Sequence, residues 1–517
     1  LILLTQFYFL FPSGSHLLFK WQHRWVIPPS IHRSLLRLLW ILGGITLLGI
    51  VTLGLILLTQ FYFLFPSGSH LLFKWQHRWV DHLDMHTDAW AYQAGDSIHV
   101  FVSNGKGQEV NVSLFDLMGR DTLYKGRHPA FFQAVTDSVA IHGTDWEASF
   151  SIPLPSHIST GWYILQLSRE AFSASTTLMV IPPKKPTKPI AWCLSTNTWN
   201  AYNHWGGFSI YTPNHTPTVS FRRPQLLADP LIQNTYANHQ LFYQAANKDV
   251  YLATLLDRLN LDYDVYPMEA LHEGWPQLQD YQTILISTHS EYWSREMLNH
   301  LNSYLDSGAS LVNLAGNVAA YRTFLDTQTQ QMHVYRKVSE LWEEQDTTGI
   351  RPFGTQARFL GFHTYAPYQV MVDTSWVWEG TNLSAGDVFG AMSETYDYTY
   401  MYASVWENIL GLRNKGKMGA ASGLEIDKIY ESTASNWITL ASGLNPYVEG
   451  HGEVYPEKLP KSWTAGHGAD LGYYIHPGGG LVFSVGSMAF TGAIPHDPPI
   501  QKIIENVLRK TIKVGEN

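Results

Sequence analysis

The chain has 517 residues, a formal net charge of -9 and only 15% charged residues, a balance that argues against nucleic acid as a partner. Aromatic residues reach 14%, with 19 Trp, which suits a large packed core and aromatic-lined clefts. The single cysteine, Cys193, leaves no intrachain disulfide, zinc knuckle or cysteine-pair redox motif, and reads as a small buried hydrophobe.

In chain order, residues 1–26 and 55–80 come first: both read LILLTQFYFLFPSGSHLLFKWQHRWV. Two perfect copies do not make a repeat fold, so 1–26 is set aside as an assembly artefact. Residues 27–80 read as a transmembrane anchor with a juxtamembrane segment. Within them Leu38 to Phe65 runs without a charge, longer than the roughly 20 residues that span a bilayer as a helix. Gly43, Gly44, Gly49 and Gly54 would weaken a soluble helix but are common in membrane ones. Arg33 and Arg37 precede the span, so the positive-inside rule predicts a single-pass membrane protein. Its N-terminus would be cytoplasmic and everything after Pro66 periplasmic or extracellular.

Residues 81–180 change character. AYQAGDSIHVFVSN, EVNVSLFDLMG, WEASFSIPLP and GWYILQLSRE alternate apolar and polar positions between turn signals, which predicts a small immunoglobulin-like β-sandwich. IPPKKPTKP, 181–189, reads as a stiff linker. Over 190–517 strand-like runs (PIAWCLST, LDYDVYP, YQTILISTH, ASLVNLAGN) alternate with helix-like ones (KDVYLATLLDRLN, REMLNHLNSYLDSG). That rhythm predicts an α/β domain, a parallel sheet covered by helices. The aromatic stretch from Asp326 to Trp463 gives no assignment, and GGGLVFSVGS and IQKIIENVLRKTI close the chain as a strand and a helix.

Two loops at the ends of apolar strands, NTWNAYNHWGGFSIY (197–211) and THSEYW (288–293), are the places to look for a site, because open α/β sheets bind ligands at strand carboxyl ends. Where a nucleophile elbow would put Cys or Ser, NLAGN has Ala315. HPGGG, 476–480, lacks the Lys-Ser/Thr of a phosphate loop. What remains is a set of hard oxygen donors, Tyr202, Tyr211 and Glu291, with His289 beside the glutamate. Such donors suit a hard, highly charged ion such as Fe(III). Loop tyrosines also pack and hydrogen-bond without any ion, and the residues alone leave both readings open.

TNTWNAYNHWGGFSIY, DYDVYPMEALHEG, THSEYWSREM, NLAGN, GLEIDKIY and GGGLVFSVGSMAFTGAIP occur in that order. Together they resemble the C-terminal domain of the N,N-dimethylformamidase large (beta) subunit family, over about Pro189 to Ile512. The resemblance implies a glutamine-amidotransferase-like α/β domain without the cysteine nucleophile, and a mononuclear iron held by two tyrosines and a glutamate. Carried over motif by motif, Glu291 of HSEYW is the glutamate ligand and His289 its neighbour, with Ser290 standing where the family has proline. Tyr202 is one tyrosine ligand and Tyr211 the preferred second, with Tyr243 of QLFYQ as the alternative. Asn317 matches a polar position near the site, and Trp199, Trp205 and Trp293 are candidates to line an apolar pocket. The implied activity is metal-assisted hydrolysis of a small linear amide, with His289 and Asn317 as catalytic candidates and ferric iron as cofactor. Two other readings stand beside it: a non-catalytic relative serving as a binding or scaffold subunit of a membrane complex or homo-oligomer, and a carbohydrate-binding surface protein.

Overall fold

The computed structural model describes residues 43, 46, 49, 70–183, 185–212, 216–231, 246–335, 352–359, 364–396, 418–429, 436–446 and 468–512. The chain forms two compact units, Leu1–Phe65 and Pro66–Asn517. In the first, the described residues are Gly43, Thr46 and Gly49, all helical and exposed. The duplicated 1–26, nearly all of Leu38–Phe65 and Tyr243 lie outside the described residues.

Within the second unit, helix His70–Trp79 leads into two facing sheets. One has the order Leu83–Thr87, Ser97–Asn104, Phe150–Pro153; the other runs Ala91–Tyr92, Phe172–Val180, Gly161–Arg169, Glu109–Asp116, Thr122–Pro129. Strand alternation sends Ile98, Val100 and Val102 inward from one sheet and Val110, Val112 and Leu114 from the other, into one core. The 181–189 segment is no free spacer. Ile181 is buried and Lys188 Nζ donates to the carbonyls of Thr160 and Tyr263. Trp162 meets Trp192 edge-on at 5.7 Å, so the sandwich and the larger sheet share a core.

The larger sheet has nine strands in the order Tyr263–Pro267, Ile190–Leu194, Thr283–His289, Ser310–Gly316, Leu481–Ser484, Asp470–Ile475, Ile438–Gly443, Tyr368–Val370, Val388–Phe389. The first five are parallel and every later pairing is antiparallel. Every residue of Ile190–Leu194, Thr283–His289 and Ser310–Gly316 is buried, as strands covered on both faces require. Helices Asp249–Arg258, Arg295–Asp306 and Pro498–Thr511 contribute their apolar sides to the core. Two of them start on side-chain caps: Ser294 Oγ accepts from Met297 N, and Asp497 Oδ1 from Ile500 N.

These observations correct the expected fold class of a transmembrane helix, a sandwich and an α/β domain. Among the described residues no helix is long and apolar enough to cross a membrane. Among the described residues helices are few, and seven sheets carry most of the regular structure, so the protein is a mostly β, sandwich-like fold of mixed sheets. The physical reason lies in the connections. Among the described residues strand–helix alternation runs from 190 to 316; beyond it, neighbouring strands of the sheet pair antiparallel. At 476–480, for example, His476 N donates to Gly480 O and Gly479 adopts φ +100°, which turns the chain straight back and forces an antiparallel neighbour.

Candidate metal centre

Two strand ends place the site. Thr283–His289 and Ser310–Gly316 run in parallel register, with Thr288 opposite Ala315 and His289 opposite Gly316. At both ends the backbone turns through the left-handed region: φ is +58° at Thr288 and +51° at Asn317. A β-branched residue there is strained, and side chains hold it. Thr288 Oγ1 donates to Asp249 Oδ1 at 2.6 Å, as does Ser287 Oγ. Gly316 is required, since a Cβ would lie 2.3 Å from Met488 N and 2.6 Å from Glu425 O. That close approach lays Glu425 against the loop.

The other half follows strand Ile190–Leu194. Helix Thr196–Tyr202 is buried along its whole length, and Thr198 Oγ1 accepts from Glu291 N at 3.1 Å, tying the two loops together. The turn from Tyr202 to Tyr211 has few backbone bonds of its own. Buried Arg223 supplies them, donating to the carbonyls of Asn200 (3.1 Å), Trp205 (2.5 Å) and Ser220 (3.0 Å). Burial lowers its pKa to about 9.

Tyr202 Oη donates to Glu291 Oε2 at 2.9 Å. Tyr211 Oη lies 2.8 Å from Tyr202 Oη and 3.1 Å from Glu291 Oε1, and also touches Tyr292 Oη; its single proton serves one of them at a time. His289 Nε2 sits 2.5 Å from Glu425 Oε2 and 3.4 Å from Glu291 Oε2. The first is a charge contact rather than an aligned hydrogen bond, because neither ring nitrogen has a hydrogen-bond partner. Asn317 Nδ2 donates to Glu425 Oε2 at 2.9 Å, and Asp427 Oδ2 accepts from Val318 N at 3.1 Å, its Oδ1 unpartnered.

Tyr202, Tyr211 and Glu291 therefore converge on one point. Glu291, Glu425 and His289 offer a second, overlapping donor set whose ligand atoms all lie within 4.8 Å of one another. Glu425 and Tyr292 were not singled out from the sequence; the signals were GLEIDKIY and THSEYW, already on the page as motifs. Asn317 holds Glu425 instead of facing the tyrosines. Trp199, Trp205 and Trp293 do not share a pocket: they pack against Trp90, Phe73 and Phe353 respectively. A cavity of about 100 Å³ bordered by His86, Trp90, Arg223 and Glu269 lies elsewhere and contains none of the converging oxygens.

Electrostatics favour a cation. Glu291 is 2% and Glu425 4% exposed, and among the described residues no Lys or Arg pairs with either, or with Asp427. Burial first, then the Glu425 charge, raises the Glu291 pKa to about 7; burial raises Asp427 to about 8. Burial and the Glu291 charge hold Tyr202, Tyr211 and Tyr292 well above the usual phenol value. For His289, burial opposes the charged form most strongly of any single cause, but the Glu425, Glu291 and Asp427 carboxylates together outweigh it and the pKa is raised. Buried carboxylates with no Lys or Arg partner among the described residues, beside one imidazole whose Nδ1 has no hydrogen-bond partner, fit a bound metal ion.

A family model described as "N,N-dimethylformamidase beta subunit-like, C-terminal" matches residues 117–502, from within the sandwich to the last helix. No curated protein matches the chain. Among solved structures, the Faecalibacterium prausnitzii beta-glucuronidase is similar at 11% identity and a TM-score of 0.17. That likeness covers 46% of this chain and 29% of that one, too slight to carry an argument.

Proposed function

The chain belongs to the N,N-dimethylformamidase beta subunit-like family, and on that premise we propose that it is a metal-dependent hydrolase of the C–N bond of a small linear amide. Tyr202, Tyr211 and Glu291 would hold ferric iron, with His289 and Glu425 beside it. One observation carries this reading: two phenols and a buried carboxylate from separate loops meet at hydrogen-bonding distance, with no Lys or Arg among the described residues to balance the charge. Hard oxygen donors are the set expected for such an ion.

Bound there, iron would supply Lewis acidity, polarising the amide carbonyl and making a water more acidic. The chain's own residues do the rest. Tyr202 and Tyr211 give up their protons, which burial opposes, only in exchange for a strong positive charge. His289, between two carboxylates, takes the proton of the attacking water at a ring nitrogen and delivers it to the departing amine nitrogen as the C–N bond breaks. Water and amide thus give a carboxylic acid and an amine. Glu425 orients the imidazole and makes it a stronger base, and Asn317 fixes Glu425. Tyr211 is the more exposed tyrosine of the pair, so the substrate arrives past it.

Elemental analysis and visible absorption of the purified chain test the reading, with amine release from small formamides as the assay. Stoichiometric iron and a tyrosinate charge-transfer band, both lost in Tyr202→Phe, are the expected result. A chain that holds no metal and takes up no ferric iron overturns it and leaves the non-catalytic binding reading.

A further inference from the structure

A second histidine–carboxylate cluster, sharing no residue with the first, lies where helix His70–Trp79 meets the sandwich. His77 is on the last turn of that helix, His82 in the link that follows, and Asp84 on strand Leu83–Thr87. Leu83 and Met85 point into the sandwich core, so the alternation of the strand turns Asp84 the other way, toward the end of the helix.

His77 is the unusual member. Its side chain is 2% exposed, and neither ring nitrogen has a hydrogen-bond partner. It is boxed by rings: His82 at 4.0 Å, Phe73 and Trp146 at 5.9 Å, and Trp205 edge-on at 6.0 Å. Packing alone would be served by a phenylalanine, whereas a buried nitrogen without a partner is destabilising. One nitrogen has something to face: Nε2 is 3.6 Å from Asp84 Oδ2, and the ligand atoms of His77, His82 and Asp84 all lie within 4.8 Å of one another. Bonds of about 2.0–2.2 Å from one tetrahedral ion set such atoms roughly 3.4 Å apart, so the cluster needs only a small contraction.

His82 is held in a suitable tautomer. Its Nδ1 lies 3.0 Å from the Val80 carbonyl, to which it donates, leaving the Nε2 lone pair free. Ser103 Oγ, 3.0 Å from that Nε2, has the Gln133 carbonyl as another acceptor at the same distance. The hydroxyl therefore turns away at no loss. Asp84 remains 21% exposed, which gives an ion a way in and leaves room for a water as fourth ligand.

We propose that His77, His82 and Asp84 form a second metal site, for zinc or a similar borderline divalent ion, that clamps helix His70–Trp79 to the first strand of the sandwich. Two imidazoles and one carboxylate match zinc far better than calcium or magnesium, which demand oxygen cages.

The test titrates the chelator-stripped full chain with zinc chloride and counts bound equivalents. His77→Gln and Asp84→Asn each lose one equivalent relative to wild type, with affinity weakened at least about 100-fold, while Glu291→Gln keeps it. Cobalt(II) at the same site gives a tetrahedral visible spectrum. Equal stoichiometry in wild type and both variants, no uptake at all, or loss in Glu291→Gln alone each overturns the proposal. If both variants misfold, zinc-edge X-ray absorption of the Glu291→Gln chain decides. Two imidazole ligands support the site; oxygen-only or single-imidazole coordination sinks it.

Discussion

The two histidine–carboxylate clusters are built in opposite ways. His77, His82 and Asp84 come from one short stretch spanning a helix end and a strand start. The tyrosine–glutamate centre gathers residues from a buried helix, two strand ends and a late strand, with Tyr202 and Glu291 separated by 89 residues and Asn317 and Glu425 by 108. The local cluster draws its donors from one turn, with only the rings that box His77 and the Ser103 beside His82 coming from farther along. The dispersed one needs the nine-stranded sheet, the strained Thr288 and the cradle of Arg223. Sensitivity to change should follow that difference.

The largest effect is expected at the shared ligand. Glu291→Gln removes iron and lowers amide hydrolysis by more than about 100-fold, with zinc uptake at the local cluster intact; parallel metal counts and amine-release rates measure it. Glu425→Gln and Asn317→Ala come next. They leave the tyrosines and Glu291 in place but loosen His289, at about 10–100-fold in kcat. Full activity in Asn317→Ala would show that Glu425 needs no support.

A pH effect of intermediate size belongs to the scaffold under the dispersed centre. Burial raises the Asp249 pKa to about 6, offset in part by the Ser287 and Thr288 hydroxyls. The folded carboxyl thus binds its proton more tightly than the unfolded one, with its usual value near 3.8. Its penalty on stability is absent below that value, grows as pH rises toward 6 and is complete above it, about 3 kcal/mol in all. Asp249→Asn keeps an acceptor for both hydroxyls and flattens the denaturation profile between about pH 4 and 6; an unchanged slope would contradict the assignment. The smallest effect lies on the sandwich surface. Lys106 and Glu170 meet at 2.8 Å but both side chains are about half exposed, so Glu170→Gln leaves the unfolding midpoint essentially unchanged in a thermal melt.

Much of the parallel half of the large sheet was legible because its strands are buried throughout and read as unbroken apolar runs. The antiparallel half was not. Its strands are short, lie within or after an aromatic stretch with no clear period, and pair antiparallel, which is why an α/β domain was expected and a mostly β fold found. Tyr202, Tyr211 and Glu291 were visible as oxygen donors on loops after strands, but their meeting depends on Arg223 and Thr198, which no spacing rule picks out. Glu425 was hidden by its distance along the chain. The His77–Asp84 run was short enough to notice, yet spacing alone does not say that a helix end and a strand will turn the same side of themselves to one point.

The long separations also bear on biogenesis. A ribosome releases Tyr202 and Tyr211 well before Glu291, and Asn317 well before Glu425. Contacts this distant in sequence form slowly and only once both partners exist. A nascent chain therefore offers early stray donors but no finished cage, and an ion held at the proposed centre would have to reach a completed protein. The local cluster has its three donors by Asp84 and the rings that box His77 by Trp205, still ahead of Glu291. If both centres hold metal, the order of synthesis separates the two ions, even where affinity alone would not.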